Sequence, residues 1–349
     1  MDKRIRTSFI FSVIFIMLSL SVLGGCGKKE ADSTTVPKEI KIGTIRVPND
    51  QQLAKVEGYF DDAYKKQGIK VKFVFFDSGV AANQAFASGS IDFAEMGYTN
   101  GVVALNRQIP VKLIWIHDVL GENEALVARK ESGVKTISDL KGKKIATPFS
   151  STSHFSLLKA LEAAGIEKDV TILDMQTADI VAAWQRGDID AAYTWEPTLT
   201  ELKKTGTVIT DSKQLAQQGY MTTNIELVRT AFAEKYPQLV VDYLGALAKA
   251  NNAYQKDPTA AAAKIAGSLN LTAEETLQQM KGSTWLTPQE QLSPDYFGTS
   301  KETGQFQKIF LDTAKFLKEQ KSIDQVPSEK EVQSFVDPSY IEQLVKGEK

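Results

Sequence analysis

Two predicted helix starts carry the hydroxyl groups and the glycine that an anion-binding site needs. Asp77-Ser78-Gly79 precedes a short predicted helix, and residues 150–154 place three serines, Thr152 and a histidine at another helix start. The first turn of a helix has free backbone N–H groups and a partial positive charge, so both segments offer donors to an anion. Gly79 would let the backbone approach a ligand closely.

These helix starts also have a purely structural interpretation. Serine and aspartate are favoured N-caps in any helix, so Asp77, Ser78 and Ser151 could serve only as caps. For Ser78 the two interpretations carry equal weight. For the run that continues through Thr152 and Ser153 we favour binding, because one cap needs only one hydroxyl.

The sequence offers little for catalysis or for metal binding. His117 and His154 are the only histidines, the one cysteine is Cys26, and the Gly-x-Ser-x-Gly, His-Glu-x-x-His and phosphate-loop motifs are absent. A carboxylate pair such as Asp188 and Asp190 could do acid–base work, but charged residues beside a turn are usually just solvated. We therefore predict a binding protein without cofactor or metal, and a secreted lipoprotein enzyme on a similar fold is the main rival.

The N-terminus predicts export and a lipid anchor. Basic residues precede an apolar run of about fifteen residues, which is shorter than the roughly twenty needed to span a bilayer. The run ends in Leu-Gly-Gly-Cys, which resembles the lipobox of bacterial lipoproteins, so residues 1–25 are predicted to be a signal peptide and Cys26 the lipidated residue. Residues 26–38 are polar and predict a flexible tether to the outer face of the cell membrane.

The remaining residues predict an α/β fold of two lobes. Strands alternate with helices from residue 40 to residue 94, and the same order recurs about a hundred residues later. Two similar units suggest two similar lobes, each a mostly parallel sheet with flanking helices. The formal net charge of −2 shows no basic excess, so nucleic acid is a poor candidate partner.

The segment after Asn224 is mostly helical in pattern, beginning with one long predicted helix over residues 230–254. Such a tail usually packs on the first lobe, so the second lobe is predicted to be an insertion between two crossing strands. Lobe 1 then comprises residues 39–123 and 225–349, and lobe 2 comprises residues 124–224. Two crossing strands form a hinge, and a ligand in the cleft can bias its closure.

Several motifs resemble the periplasmic taurine-binding proteins of sulfonate ABC transporters. The similarity runs from about residue 71 to residue 320, and the segments that carry it are Phe76-Asp77-Ser78-Gly79, Leu120-Gly121, Glu124-Ala125-Leu126-Val127, residues 139–158, residues 183–190, Leu286-Thr287-Pro288-Gln289 and residues 312–320. The resemblance implies a class II periplasmic-binding-protein fold with the ligand between the lobes. It also implies a monomer that delivers a small sulfonate to a membrane permease powered by a separate ATPase.

Binders of nitrate and of thiamine-precursor pyrimidines belong to the same broader family, so these ligands remain alternatives. Nitrate needs a smaller pocket, and pyrimidines usually need more stacking aromatic residues than Trp195 and Tyr98 provide. Trp195 follows a predicted strand and should lie at the cleft edge, although a core position is nearly as plausible. Tyr98 lies at the corresponding rim of lobe 1 and is a weaker candidate.

The resemblance implies sulfonate contacts from the two helix starts, with His154 as a neutral donor or a packing residue. This chain differs from the taurine-binding family at one position of the implied site, because the family has an aspartate where this chain has Asn224. A buried ammonium needs a carboxylate. We hypothesise that Glu196 supplies it, with Asp50 or Asp118 as alternatives. A ligand without an amine, such as ethanesulfonate, is the other interpretation.

Overall fold

Alternating strands and helices build the two sheets that position the site. The computed structural model describes residues 36–347, which form two five-stranded sheets. The predicted signal peptide, Cys26 and most of the predicted tether lie outside the described residues.

The first sheet has the strand order β2-β1-β3-β10-β4. Its strands are β1 (Glu39–Thr44), β2 (Lys70–Phe75), β3 (Phe93–Gly97), β4 (Val111–Val119) and β10 (Thr223–Arg229). The second sheet has the order β7-β6-β8-β5-β9. Its strands are β5 (Glu124–Arg129), β6 (Lys144–Thr147), β7 (Thr171–Asp174), β8 (Ala191–Trp195) and β9 (Gly206–Asp211). We call the part of the chain around the first sheet lobe 1 and the part around the second sheet lobe 2.

The predicted α/β two-lobed fold is confirmed, and each sheet is mixed, with one strand antiparallel to the other four. In lobe 1, β1 pairs in parallel with β2 and β3, whereas β10 runs antiparallel between β3 and β4. In lobe 2, β6 pairs in parallel with β7 and β8, whereas β5 runs antiparallel between β8 and β9. The exception in each sheet is the strand that the chain adds after crossing from the other lobe, because it enters from the opposite end.

Helices cover both sheets. The helices before β10, where the chain returns to lobe 1, are α1 (Asp50–Val56), α2 (Tyr59–Lys65), α3 (Gly79–Ala87), α4 (Tyr98–Asn106), α5 (Thr152–Ala163), α6 (Thr177–Arg186), α7 (Thr198–Lys203) and α8 (Ser212–Gln217). Those after it are α9 (Thr230–Lys235), α10 (Pro237–Lys256), α11 (Pro258–Leu269), α12 (Ala273–Met280), α13 (Pro288–Gln291), α14 (Gln305–Glu319), α15 (Glu329–Phe335) and α16 (Ser339–Gly347). The later helices join the apolar core of lobe 1, as the sequence predicts.

The predicted helix over residues 230–254 is wrong in one respect, because two helices occupy that segment. Pro237 has no backbone N–H to donate, and a proline disfavours helical geometry in the residue before it. Tyr236 accordingly has φ −133° and ψ 55°, and α10 begins at Pro237. The break lets the chain turn from the end of the sheet into the long buried helix of lobe 1.

Two short connections join the lobes, and these connections lie side by side. Residues 120–123 lead from β4 to β5, and residues 218–222 lead from α8 to β10. The Leu120 N–H donates to the Thr222 carbonyl at 2.9 Å, so the two connections are hydrogen-bonded to each other. They form one edge of the cleft between the lobes.

Candidate functional site

A cavity lies between the lobes at the carboxyl ends of the parallel strands. Its volume is about 40 Å³, counted as the positions that the centre of a water molecule could occupy. One water needs roughly 10–15 Å³ by that measure, so the cavity suits a ligand of only a few non-hydrogen atoms. Lobe 1 contributes the start of α3 and the ends of β3 and β4, and lobe 2 contributes the start of α5 and the end of β8.

The start of α3 presents a hydroxyl that does not cap its helix. Ser78 is the N-cap residue by backbone geometry, but its side chain makes no capping hydrogen bond. It lines the cavity beside Gly79. A Cβ on Gly79 would fall on the side-chain amide of Asn100, so only glycine fits against that neighbour. The local packing thus explains the glycine, while the Ser78 hydroxyl stays available to a ligand.

Most hydroxyl groups at the start of α5 form hydrogen bonds within the protein. Ser151 is a true N-cap, since its side chain accepts from the His154 N–H at 3.1 Å. The hydroxyls of Thr152 and Ser153 both donate to the Glu124 carboxylate. Ser151 and Thr152 line the cavity, so this helix start can still offer its first-turn backbone N–H groups there.

His154 packs on the lobe 2 surface next to the cavity. Its ring stacks on Phe149 with a centroid distance of 4.4 Å, and its Nδ1 accepts from the Ser150 N–H at 3.4 Å. Burial lowers the pKa of His154 to about 4, so the ring is neutral at physiological pH. These contacts are those of a packing residue, one of the two roles that we expect for this histidine.

Seven of the eleven predicted ligand-binding residues line the cavity. They are Ser78, Gly79, Ser151, Thr152, Trp195, Glu196 and Asn224.

The other four predicted residues lie outside the cavity lining. Tyr98 is buried, and its hydroxyl is 2.7 Å from that of Thr313. Asp50 is buried one layer behind the cavity, whereas Ser153 and His154 face Glu124 and Phe149. Each of these residues lies next to a true lining residue in sequence or space, which is why its position in the chain suggests the site.

Asp118 is the carboxylate best placed for a cationic group. It is buried, lines the cavity and accepts from the Asn224 Nδ2 at 2.9 Å. Burial raises the pKa of Asp118 to about 6, and hydrogen bonds from Ser283 and Asn224 lower it in part. Asp118 is therefore mostly ionised at neutral pH, and among the described residues no lysine or arginine pairs with it.

Glu95 is a second lobe 1 carboxyl on the cavity, and sequence analysis missed it. One of its oxygens accepts from the Asn49 amide, while the other is buried and has no hydrogen-bond partner among the described residues. Burial raises the pKa of Glu95 to about 8. An acidic residue inside the otherwise apolar strand β3 was the available signal, and Glu226 in β10 follows the same pattern.

A buried network of charged side chains, which we call the ionic chain, lies behind these carboxyls and consists of Asp50, His117 and Glu226. His117 lies between Asp50, at 2.5 Å from Nδ1, and Glu226, at 2.9 Å from Nε2. Burial lowers the pKa of His117, but the two carboxylates outweigh it and hold the pKa well above the usual range. Trp115 Nε1 also donates to Asp50 at 2.8 Å. His117 is thus an imidazolium that is already shared by two acids.

The carboxyls of lobe 2 have protein partners. Glu124 accepts from hydroxyls of α5, α8 and the second crossing, namely those of Thr152, Ser153, Ser156, Ser212 and Thr222. Glu196 lies 2.8 Å from the Lys203 ammonium, and it accepts from the Thr200 N–H at 2.8 Å. The hypothesis that Glu196 binds a ligand amine thus faces a competing ion pair.

The cavity lining as a whole contains carboxyl groups but no lysine, arginine or histidine. A ligand with only negative charge would face these acids without a cationic partner. An anionic group can still bind to helix N-termini and hydroxyls. The lining therefore favours a ligand that carries both an anionic and a cationic group.

Direct hydrogen bonds hold the lobes together around the cavity. The Ser150 carbonyl accepts from Thr99 Oγ1 at 3.0 Å and from Asn100 Nδ2 at 3.1 Å. On another side, Gln279 Nε2 donates to Thr200 Oγ1 at 3.1 Å. Asn100 also packs against Gly79, so the α3 start, the α5 start and this interlobe contact form one unit.

Two α/β lobes, joined by two connections and enclosing a cavity, define a periplasmic-binding-protein-like fold. Solved structures share it: the alkanesulfonate-binding protein SsuA from Xanthomonas axonopodis pv. citri, bound to MOPS, superposes with a TM-score of 0.71 at 21% identity. That match covers 86% of this chain and 98% of SsuA. The desulfurization enzyme DSZB also shares the fold, with a TM-score of 0.64 at 16% identity, over 90% of this chain and all of DSZB.

The sequence comparisons identify the family. Residues 52–261 match the NMT1/THI5-like family. The chain is 36% identical to the taurine-binding periplasmic protein of Escherichia coli (strain K12), over 82% of this chain and 89% of that relative. It is 31% identical to a putative aliphatic sulfonates-binding protein of Bacillus subtilis (strain 168), over 84% and 89%. The chain therefore belongs to the NMT1/THI5-like family, and the resemblance read from its motifs is confirmed.

Proposed function

We propose that this protein captures taurine, or a similar small aminoalkanesulfonate, outside the cytoplasm for an ABC importer. The observation that carries the proposal is the cavity lining, which combines two helix starts with lobe 1 carboxyls and contains no basic side chain. Named relatives that bind taurine and aliphatic sulfonates support the same conclusion.

The helix starts suit the sulfonate end of such a ligand. A sulfonate keeps its negative charge at physiological pH and has three acceptor oxygens, so it needs several donors. The Ser78 hydroxyl and the first-turn N–H groups of α3 and α5 come from both lobes. A sulfonate held between them would stabilise the closed arrangement, because it bridges the partial positive charges of two helices.

Asp118 suits the ammonium end. It is buried and mostly ionised, and Asn224 orients it through a 2.9 Å hydrogen bond. Asn224 replaces the aspartate expected from the family resemblance, so the negative charge would be supplied from β4 instead of β10. We prefer Asp118 to Glu196 as the ammonium partner, since Glu196 is already paired with Lys203.

A pyrimidine is the second candidate ligand. Trp195 and Phe149 both line the cavity, which gives a flat ring two aromatic side chains to contact.

Nitrate is less suitable, because it would bring no positive charge to Asp118 and Glu95. A secreted enzyme remains the least favoured alternative: the sequence relatives named above are binding proteins, and the DSZB likeness concerns the fold alone.

The same proposal includes a lipid anchor at Cys26 and a complex with a membrane permease and its ATPase. The Leu-Gly-Gly-Cys motif after a short apolar run supports the anchor. Labelling of cells with radioactive palmitate should mark the wild-type protein and not Cys26→Ser. A wild-type protein that stays unlabelled would contradict the anchor without affecting the ligand proposal.

Isothermal titration of residues 39–349, which we call the mature domain, with taurine, ethanesulfonate and a hydroxymethylpyrimidine tests the ligand. We expect submicromolar taurine binding, weak ethanesulfonate binding and no conversion of taurine during the titration. Equal affinities for the two sulfonates would indicate a general alkanesulfonate carrier. Tight pyrimidine binding without sulfonate binding would overturn the proposal in favour of the second candidate.

A further inference from the structure

Glu95 carries an unused hydrogen-bonding atom at the cavity. Its side chain is 1% exposed and lines the site. Asn49 Nδ2 donates to one carboxyl oxygen, and the other oxygen has no partner among the described residues. A buried polar atom without a partner is costly, so an oxygen left in this state at a binding cavity points to a ligand group that satisfies it.

The groups around Glu95 are mostly other acids. Glu226 on β10 is its direct partner in the sheet register, Asp118 lies on β4, and Asp50 lies on α1. The one cation among these groups is His117, which already contacts Asp50 and Glu226. Four buried carboxyls around a single imidazolium cannot all ionise. Asp118 also lacks an ionic contact but accepts hydrogen bonds from Asn224 and Ser283, whereas Glu95 has only the Asn49 contact. Glu95 is therefore the acid that keeps its proton, in agreement with its pKa of about 8.

We propose that Glu95 is a second ammonium-binding residue, and that taurine capture releases the Glu95 proton to solvent. This inference rests on the proposed function. In the step, the O–H bond of the Glu95 carboxylic acid breaks, the proton passes to the buffer, and the resulting carboxylate accepts an N–H of the ligand ammonium. No other covalent bond changes. The positive charge of the ammonium replaces the proton that the free site needs.

The arrangement would select primary amines. Asp118 and Glu95 lie on the same cavity wall, and the Asn224 side chain is bonded to Asp118. A primary ammonium has three N–H donors and can reach both carboxylates together. A trimethylated ammonium has no N–H to donate, so it could not form a hydrogen bond with either carboxylate.

Proton release is measured by titrating the wild-type mature domain with taurine in phosphate and in Tris buffer at the same pH. The two buffers have different heats of ionisation, so the difference in binding enthalpy gives the protons released per taurine bound. At one pH unit below its pKa, an acid is about nine-tenths protonated. We therefore expect Glu95 to release nearly one proton per taurine bound at pH 7 and fewer above pH 8.

Glu95→Gln is the matched variant, because an amide keeps the shape and the Asn49 contact but has no titratable proton. We expect proton release to disappear and taurine affinity to fall by about tenfold. Subtracting the variant from the wild type also cancels any titration of the ligand's own amine. Glu131→Gln removes a carboxylate whose side chain is 66% exposed, and it should release as many protons as the wild type.

Taurine binding without proton release from the wild type at pH 7 would overturn the inference and leave the proposed function standing. A Glu95→Gln protein that still releases the proton would overturn it equally. Absence of taurine binding would overturn both proposals. If Glu95→Gln does not fold, the wild-type series from pH 6 to pH 9 decides, because a count that does not change through pH 8 excludes Glu95.

Discussion

Both walls of the cavity contain buried carboxyl groups, but the two walls satisfy them differently. In lobe 2, Glu124 accepts from five hydroxyls and Glu196 is paired with Lys203. Among the residues that the structure describes, Asp118 in lobe 1 has amide and hydroxyl partners but no lysine or arginine, and Glu95 has an oxygen without a partner.

This difference separates supporting residues from binding residues. A buried carboxylate with a full set of donors gains nothing from a ligand cation and holds its surroundings in place. A buried carboxyl that lacks a partner gains a great deal, because the ligand supplies the missing charge. The lobe 2 carboxyls therefore shape the start of α5 and the hinge, and we propose that the lobe 1 carboxyls recognise the ligand.

The largest effect is expected from His117→Gln, which removes the cation shared by Asp50 and Glu226. Breaking a buried pair by removing one partner costs about 3–5 kcal/mol, because an uncompensated charge remains. Urea denaturation of the mature domain should show this loss of unfolding free energy. His154→Gln is the matched control, since His154 is neutral and its contacts are the Phe149 stack and one long hydrogen bond from the Ser150 N–H, and its loss should be about 1 kcal/mol. Equal losses would show that the ionic chain does not support lobe 1.

Asp118→Asn should produce the next largest effect, on binding rather than on folding. The variant keeps the size of the side chain but removes the proposed partner of the ammonium, and truncating one side of a buried charge pair costs about 2–5 kcal/mol. We expect taurine affinity to fall by about 100-fold in titration calorimetry. Asp188→Asn changes an exposed carboxylate and serves as the control. An Asp118→Asn affinity within threefold of the wild type would move recognition to another residue.

The stability of the ligand-free protein should decrease as pH rises from about 5 to 9. The raised pKa values of Glu95 and Asp118 mean that the native state binds more protons than the unfolded state between about pH 4.5 and 8. Stability falls with pH over that window, less steeply below about pH 6.5, where the lowered pKa of His154 has the opposite effect. His117, with a raised pKa, stabilises fully below about 6.5 and loses its contribution at still higher pH. Urea midpoints measured across this range check the sign, and saturating taurine should flatten the decrease. A midpoint that rises with pH would contradict it.

The smallest effect is expected from Glu196→Gln. Its carboxylate contacts Lys203 and the Thr200 N–H on lobe 2, so the side chain already has its partners without a ligand. We expect taurine affinity to fall by less than about threefold in the same titration. A loss as large as that of Asp118→Asn would restore the hypothesis that Glu196 binds the amine, and the contrast between the two walls would then fail.

The sequence alone was enough to predict the α/β fold, the two crossing strands and most of the helix starts around the cavity. These features depend on local signals, such as the hydroxyl-rich cap at residues 150–154 and the glycine at position 79. Alternation of strands and helices also placed Trp195 at a strand end, where such folds form their sites. The family resemblance placed Asn224 near the second crossing strand. The family resemblance came from the same segments.

Only the tertiary structure decided which polar residues have partners. Ser153 looked like a ligand contact until the fold placed Glu124, from another strand, beside it. Glu196 was expected to bind a ligand amine until α7 brought Lys203 within 2.8 Å of it. Sequence analysis missed Glu95, which the sheet places beside Glu226 and Asp118. Charge pairing and burial depend on contacts between residues far apart in the chain. Residue types and local spacing therefore determined where a site would form, and packing determined which groups in it remained free to bind.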